Sequence, residues 1–426
     1  MKAPKARALC ALLLCMAAVL CGCAREKNSL VRYREDERPK ARITFFGNKY
    51  EPENVAVVEE ILSGFMRENP DVQVTYESLK GNDYFEALSK RMASGRGDDV
   101  MMVNHDAVLL LSEAGQLADL SGLESIDRFS DSVLGQMRGE DGAIYWVPTT
   151  VSAFGLYCNL DLLKAQQLEV PRTLAEWLDA CERFRRAGIL PLIINDDISL
   201  KTLAIGLGFW DVYAAGRQAE AFGRINSGEE RLSGYLRPGF ALASQLIEKG
   251  YVDAQKALVT QKTSDDLAEF AKGESPFMLT GGWAAGRVKS MNPPFEFTVI
   301  PYPALTDGAV LVVNADTRLS VNAHSPNREA ALRFVEYFTR SENITKFAEN
   351  QSSLSPLKSG SPAALKEIQP LLEAYWAGRT VIGSDSLLDI PIWNLTAEAS
   401  QRLLSGEPME EVMDFLDAYQ AEEGAR

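Results

Sequence analysis

Histidine is nearly missing from this chain: His105 and His324 are the only two among 426 residues. Six cysteines occur, but Cys10, Cys15, Cys21 and Cys23 crowd the N-terminus, which leaves Cys158 and Cys181 for the body. No Cys/His grouping has the spacing of zinc ligands, so a metal centre of that kind is excluded and no cofactor is expected. Cys158 and Cys181 read as two buried thiols, with a bridge as the alternative in an oxidising compartment. Basic charge is also short. The formal charge is −15, and residues 1–22 hold three of the basic residues and no acid, so the remainder sets 41 basic residues against 59 acidic ones. Such a surface repels phosphate backbones and argues against a nucleic-acid partner. After residue 22 no apolar run reaches about 18 residues, so no membrane-spanning helix is expected there.

Enzyme signatures are scarce as well. There is no G-x-S-x-G and no P-loop, and GLGFWD (206–211) lacks the third glycine of a dinucleotide fingerprint. The adjacent acids Asp98-Asp99, Asp196-Asp197 and Asp265-Asp266 point apart on an extended backbone. They read as turn and cap chemistry, not as the opposed carboxylates of a glycosidase. The chain is therefore not expected to be an enzyme.

What is present is ordinary for a globular protein: 46% hydrophobic and 24% charged residues, enough for a proper core. The length suits two or three domains, or one large two-lobed body. At the N-terminus MKAPKAR is a positive region, and residues 8–21 form an apolar run of 14. That run is too short for a comfortable bilayer span and suits a signal peptide over 1–22. The pair Cys21 and Cys23 could hold a metal, form a redox couple or mark a cleavage site. Its flanks favour the last, since Leu20-Cys21-Gly22-Cys23 resembles a bacterial lipobox, where cleavage leaves Cys23 as the lipidated N-terminus. Plain secretion is the alternative. Residues 23–40 are dense in alternating charge without an apolar period, as in a flexible tether.

Strand and helix patterns then alternate. ITFFG (43–47) reads as a strand, and Pro52 opens a helix with Val55, Val58, Ile61, Leu62 and Phe65 on one face. VQVTYES, VMMV (100–103), FGLYCN (154–159), LPLII, PFMLT (276–280), FTVIP (297–301) and RLSVN (318–322) are further strand candidates. TLAEWLDACERFRRAG reads as an amphipathic helix capped by Thr173 and ended by Gly188. The alternation implies an α/β body with mostly parallel pairing.

Several stretches follow one another in a telling order: NPDVQV; VNHD with GQLADL behind it; YWVPTTVSAFGLYCNLDLL; PRTLAEW; FAKGESPFMLTGGW; FTVIPYP; and SPNREAALRFVEYF. Over residues 41–420 their order and spacing resemble the family 1 extracellular solute-binding proteins of ABC importers, whose best-known members bind maltodextrins and other oligosaccharides. The resemblance implies a two-lobed α/β fold of the periplasmic-binding-protein type (class II), with crossing hinge segments and a ligand cleft between the lobes. Lobe 1 would take 41–150 and 301–345, and lobe 2 would take 151–300 and 346–426. It implies a monomer that captures a carbohydrate and delivers it to ABC permease subunits. It would stand outside the cytoplasm, held at the bacterial cell membrane by lipid on Cys23. A sensory binding lipoprotein, a binder of a non-sugar solute and a lipid-anchored glycosidase are the competing readings. One departure stands out: VVNADTR (312–318) replaces a glycine pair common in the family, so a loop of altered geometry is expected there.

A sugar presents hydroxyls and apolar ring faces, so its site needs aromatic platforms and hydrogen-bonding side chains. Trp283, after two glycines at a strand end, matches a family stacking position, and Trp393 matches an aromatic near the cleft. Trp376 divides evenly between cleft and core. Trp210 follows GLGF, read as a loop that could line the cleft. Asp106 lies just past VMMVNH, at the carboxyl end of a strand, where α/β ligands bind. Asn48, Lys49 and Tyr50 follow the first strand in the same way, as Asn195 and Asp196 follow LPLII. Asp385 and Ser352 complete the candidates.

Overall fold

Residues 39–139, 142–358 and 365–423 are described by a computed structural model. The signal-peptide stretch, Cys23 and all but the last two residues of the expected tether lie outside the described residues. From Ala41 onward the chain is a single unit by its contacts, built on one nine-stranded sheet with helices on its faces.

The strands are β1 (Ala41–Gly47), β2 (Val72–Ser78), β3 (Val100–Val103), β4 (Val147–Asn159), β5 (Leu192–Ile193), β6 (Phe277–Gly281), β7 (Phe297–Ile300), β8 (Leu311–Val321) and β9 (Thr380–Ile382). Their order is β2-β1-β3-β8-β4-β6-β5, with β7 on β4 and β9 on β8. Pairing is mixed rather than mostly parallel. β1–β2, β1–β3, β5–β6 and β8–β9 run parallel, whereas β3–β8, β4–β6, β4–β7 and β4–β8 run antiparallel. Strand–helix alternation locates crossovers, but it does not disclose a long strand that returns from far along the chain.

β4 and β8 are those long strands. β8 pairs with β9 through Leu311–Val313, with β4 between Val312 and Leu319, and with β3 through Arg318–Val321. β4 leaves β8 after Phe154 and pairs onward with β6 and β7. The loop expected at VVNADTR is thus strand, and both crossing strands are almost wholly buried. Thr317 holds φ at +46° inside β8, a sterically costly conformation for a β-branched residue. Thr149 Oγ1 donates to its carbonyl at 2.9 Å, and Thr150 Oγ1 lies 3.4 Å from its hydroxyl.

The apolar residues fall into two clusters on either side of this crossing. One gathers Phe45, Phe46, Phe65, Phe334 and Phe338; the other gathers Trp177, Phe184, Phe209, Phe240 and Leu416. The helix Leu174–Arg186 illustrates the logic. Trp177, Ala180, Cys181 and Phe184 recur at helical spacing and are buried together, Thr173 Oγ1 caps the N–H of Glu176, and Gly188 takes φ +77° just past the end. Each large buried side chain of this kind contributes about 1.5–3 kcal/mol. Cys158 and Cys181 are free, buried thiols, and burial holds both in the protonated form.

Candidate functional site at the strand crossing

The carboxyl ends of β1 and β3 meet the body of β8 beside the crossing. Asn48 and Lys49 follow β1, His105 and Asp106 follow β3, and Arg318 pairs with Val103 at the end of β3. Asn104 accepts from the N–H of Ala107 at 2.8 Å and so caps the helix His105–Glu113. That cap sets the positions of His105 and Asp106.

Four buried polar atoms here have no protein partner: Asn48 Oδ1, His105 Nδ1, Asp106 Oδ1 and Arg318 Nη1. Burying a polar group without a hydrogen bond is costly. Each of these groups is otherwise engaged or enclosed. His105 Nε2 donates to the Leu388 carbonyl at 3.2 Å, and with one nitrogen carrying the proton the other is left as an acceptor. Asp106 Oδ2 accepts from Asn394. Arg318 stacks on Trp146 with 4.0 Å to the ring centroid, donates from Nε to Ala315 at 2.8 Å, and reaches the Ser384 carbonyl at 3.3 Å. Three unsatisfied acceptors and one donor therefore stand together, a set matched to a solute rich in hydroxyl groups.

Burial and charge tune them. Burial, helped by the Arg318 cation, lowers His105 to a pKa of about 3, so it is neutral near pH 7. Burial lowers Arg318 to about 10, still protonated. Burial raises the Asp106 carboxyl against the opposing pull of Lys201 and Arg318. Lys49 is lowered by burial, with Asp316 and Glu51 acting the other way.

An aromatic group lines the far side. Phe154 of β4 sits 5.2 Å from the Trp283 centroid, edge to face, and 5.3 Å from that of Trp393. Trp283 folds back over Gly281, where an added Cβ would fall 2.1 Å from the ring. Gly383 does the same for Trp393, 2.8 Å from its ring and from Asn314 Oδ1. The Lys201 ammonium covers Trp393 at 4.1 Å from the centroid. Lys201 is almost fully buried and pairs with Asp197, which also binds Lys262.

Of the expected residues, Asn48, Lys49, Asp106, Trp283 and Trp393 come together. Ser352, at φ +47°, lies near them, its Oγ 3.0 Å from where a Cβ on Gly286 would be. The others have different surroundings. Tyr50 is exposed and leans toward Lys80. Asn195 is a scaffold residue: its Oδ1 accepts from the N–H groups of Asp197 and Ile198, and its Nδ2 donates to Asp266. Asp196 is tied through its backbone to Thr260 and Gln401. Asp385 is buried and accepts from the Tyr213 hydroxyl at 2.5 Å. Trp210 is not in a loop but on the helix Ile198–Ala214, where Gly206 and Gly208 allow close approach of Val312 and of the Tyr235 carbonyl. Arg379 lies over its ring at 5.0 Å, and Arg379 precedes β9 whereas Gly383 follows it. Trp210 thus packs against the residue that enters β9, and Trp393 against the glycine that leaves it. Trp376 is 57% exposed at a helix end. His105, Arg318, Trp146, Glu51, Arg287 and Asn394 were not among the candidates. The signal for Arg318 was a cation within a β-type run.

A sheet crossed by two long strands, with open polar groups past the strand ends and two tryptophans flanking Phe154, defines a two-lobed solute-binding fold. The model of the bacterial extracellular solute-binding protein family matches residues 48–344, and the chain belongs to that family. The chain is similar to the "Multiple sugar-binding protein" of Streptococcus mutans, 24% identical over 82% of this chain and 80% of that one. Among solved structures it resembles apo RafE from Streptococcus pneumoniae, with a TM-score of 0.72, 19% identity, and coverage of 90% and 98%. It also resembles a Bacillus licheniformis sugar transporter in complex with stachyose, with a TM-score of 0.70, 19% identity, and coverage of 90% and 99%.

Proposed function

We propose that this protein captures a carbohydrate between its lobes and hands it, unaltered, to the permease of an ABC importer. The observation that carries this reading is the group of three open acceptors and one open donor, Asn48, His105, Asp106 and Arg318, opposite the Phe154–Trp283–Trp393 aromatic group. Hydroxyls satisfy the first and a pyranose face suits the second. The sugar-binding relatives support the same class. In this reading lobe 1 comprises 41–150 and 301–345, lobe 2 comprises 151–300 and 346–426, and Asn48, Lys49, Asp106, Ser352, Trp283 and Trp393 contact the ligand. Cys23 carries the lipid that holds a monomer beside its permease, outside the cytoplasm.

The test is a thermal-shift screen over a glycan library that includes raffinose, stachyose, malto-, xylo- and chito-oligosaccharides, with amino acids, polyamines and glycerol phosphate beside them. A true ligand at 100 times its dissociation constant stabilises by about 2.7 kcal/mol, and Trp283→Ala abolishes that shift while the unliganded protein stays folded. Stabilisation by a non-sugar solute alone overturns the carbohydrate reading. Intact ligand recovered after incubation separates binding from hydrolysis, and loss of uptake on gene deletion separates import from sensing.

A further inference from the structure

Two polar bridges join the opposing sides of this site, and each stands beside one tryptophan. Asp106 receives the Asn394 amide, next in sequence to Trp393. Glu51 Oε1 receives Nη2 of Arg287 at 2.9 Å, and Arg287 stands four residues beyond Trp283. The short turn Gly282–Ala284 runs straight into the helix Ala285–Ser290, so Trp283 and Arg287 are about one helical turn, or 6 Å, apart. The ion pair thus stands about one helical turn along the backbone from Trp283.

The partners are held in place. Glu51 is the residue that opens the helix Pro52–Glu68, and its Oε2 accepts from Asn54 at 2.8 Å. Asn54 in turn accepts from Gln351 at 2.7 Å, next to Ser352. Arg287 keeps 40% of its side chain exposed and Glu51 24%, so the pair is open to solvent and to a ligand long enough to reach it.

We propose that the Glu51–Arg287 ion pair is a gate that sets the length of saccharide the site admits: a ligand extended past Trp283 must break it, and a short one need not. This rests on the carbohydrate reading above. The gate discriminates by size without touching the ring on Trp283, so its removal relieves a penalty felt by long ligands alone.

The test measures dissociation constants by calorimetry for sucrose, raffinose and stachyose and for maltose through maltohexaose, in the wild-type protein, Arg287→Met, Glu51→Gln and the exchanged pair Glu51→Arg/Arg287→Glu. The expected result is that Arg287→Met and Glu51→Gln shift the affinity ratio of the longest to the shortest binding member by about fivefold toward the longest, as loss of a half-exposed ion pair allows, and that the exchanged pair returns the ratio toward wild type. An equal change at every length, or none, overturns the gate and leaves the carbohydrate reading standing. If no saccharide in either series binds any of the proteins, the gate falls, and the carbohydrate reading is decided by the wider glycan library. Thermal unfolding of each unliganded variant, expected within a few degrees of wild type, confirms that a lost affinity is not a lost fold.

Discussion

Nε2 of His105 lies 3.2 Å from the carbonyl oxygen of Leu388, a residue 283 positions further along the chain. This contact ties the end of β3 to the segment after β9, and the burial of the ring beside the Arg318 cation gives it a pH dependence that the Leu388 bond only partly opposes. The folded pKa of about 3, against the ordinary 6.5, means that the unfolded chain takes up this proton first as pH falls. The contribution is whole above pH 6.5 and is lost as pH drops toward 3, with a limiting slope of about 1.4 kcal/mol per pH unit. Urea unfolding at pH 7 and pH 5 should show the wild-type protein losing about 2 kcal/mol more than His105→Gln over that interval. Equal losses would place the titration elsewhere.

Gly281→Ala tests the seat of Trp283. The new Cβ would stand 2.1 Å from the indole, a distance no pair of carbons tolerates, so the ring must leave its place. Overpacking of this kind costs about 1–3 kcal/mol. Ligand affinity should fall as far as in Trp283→Ala, and near-ultraviolet circular dichroism should record the displaced indole.

Arg318→Met separates binding from stability. A buried cation with no ion pair within 4 Å among the described residues is dear to keep, but Arg318→Met also takes the donor from the Ala315 and Ser384 carbonyls. The unliganded variant should lose about 1–3 kcal/mol, while ligand-induced stabilisation, measured against that unliganded variant, falls sharply because a donor is gone. Unchanged ligand-induced stabilisation would make Arg318 a scaffold residue.

Asp197 and Lys201 behave in the opposite sense. Lys201 is 1% exposed and leans on the Asp197 carboxylate, which the two lysines hold at a pKa of about 2. Removing the acid strands a buried ammonium, so Asp197→Ala should cost about 3–5 kcal/mol in chemical denaturation. Lys201→Met should cost less, because Lys262 still answers Asp197.

Local patterns carried much of this architecture. ITFFG, VMMV and PFMLT became β1, β3 and β6, and the helix after Thr173 ended at Gly188, because alternation, period and caps are properties of neighbours in sequence. Part of the candidate site rests on the same local signals: Asp106 and Asn48 follow strands, and Trp283 follows two glycines. What escaped depends on distant partners. Asn195 had the sequence of a ligand contact, yet Asp266 and the N–H groups of the following helix claim its side chain. Polar residues hid the first part of β8, since Asn314 and Asp316 suggest a loop until Ser384 and Ser152 supply their partners. Glycines at 206 and 208 marked helix packing, not a turn. The Glu51–Arg287 contact spans 236 positions, beyond any periodicity.

The place of β8 in the sheet has a bearing on how the protein comes into being. β3 and β4 are neighbours in sequence but never touch as strands, because β8, made more than 150 residues later, lies between them. A ribosome delivering this chain in order releases the first hundred residues with a missing middle to their sheet. Long-range closure of that kind is slow, and until about residue 321 has emerged the early segment cannot complete its ladder. A chain that stays unfinished for that long keeps its early strands open until its last crossing strand arrives.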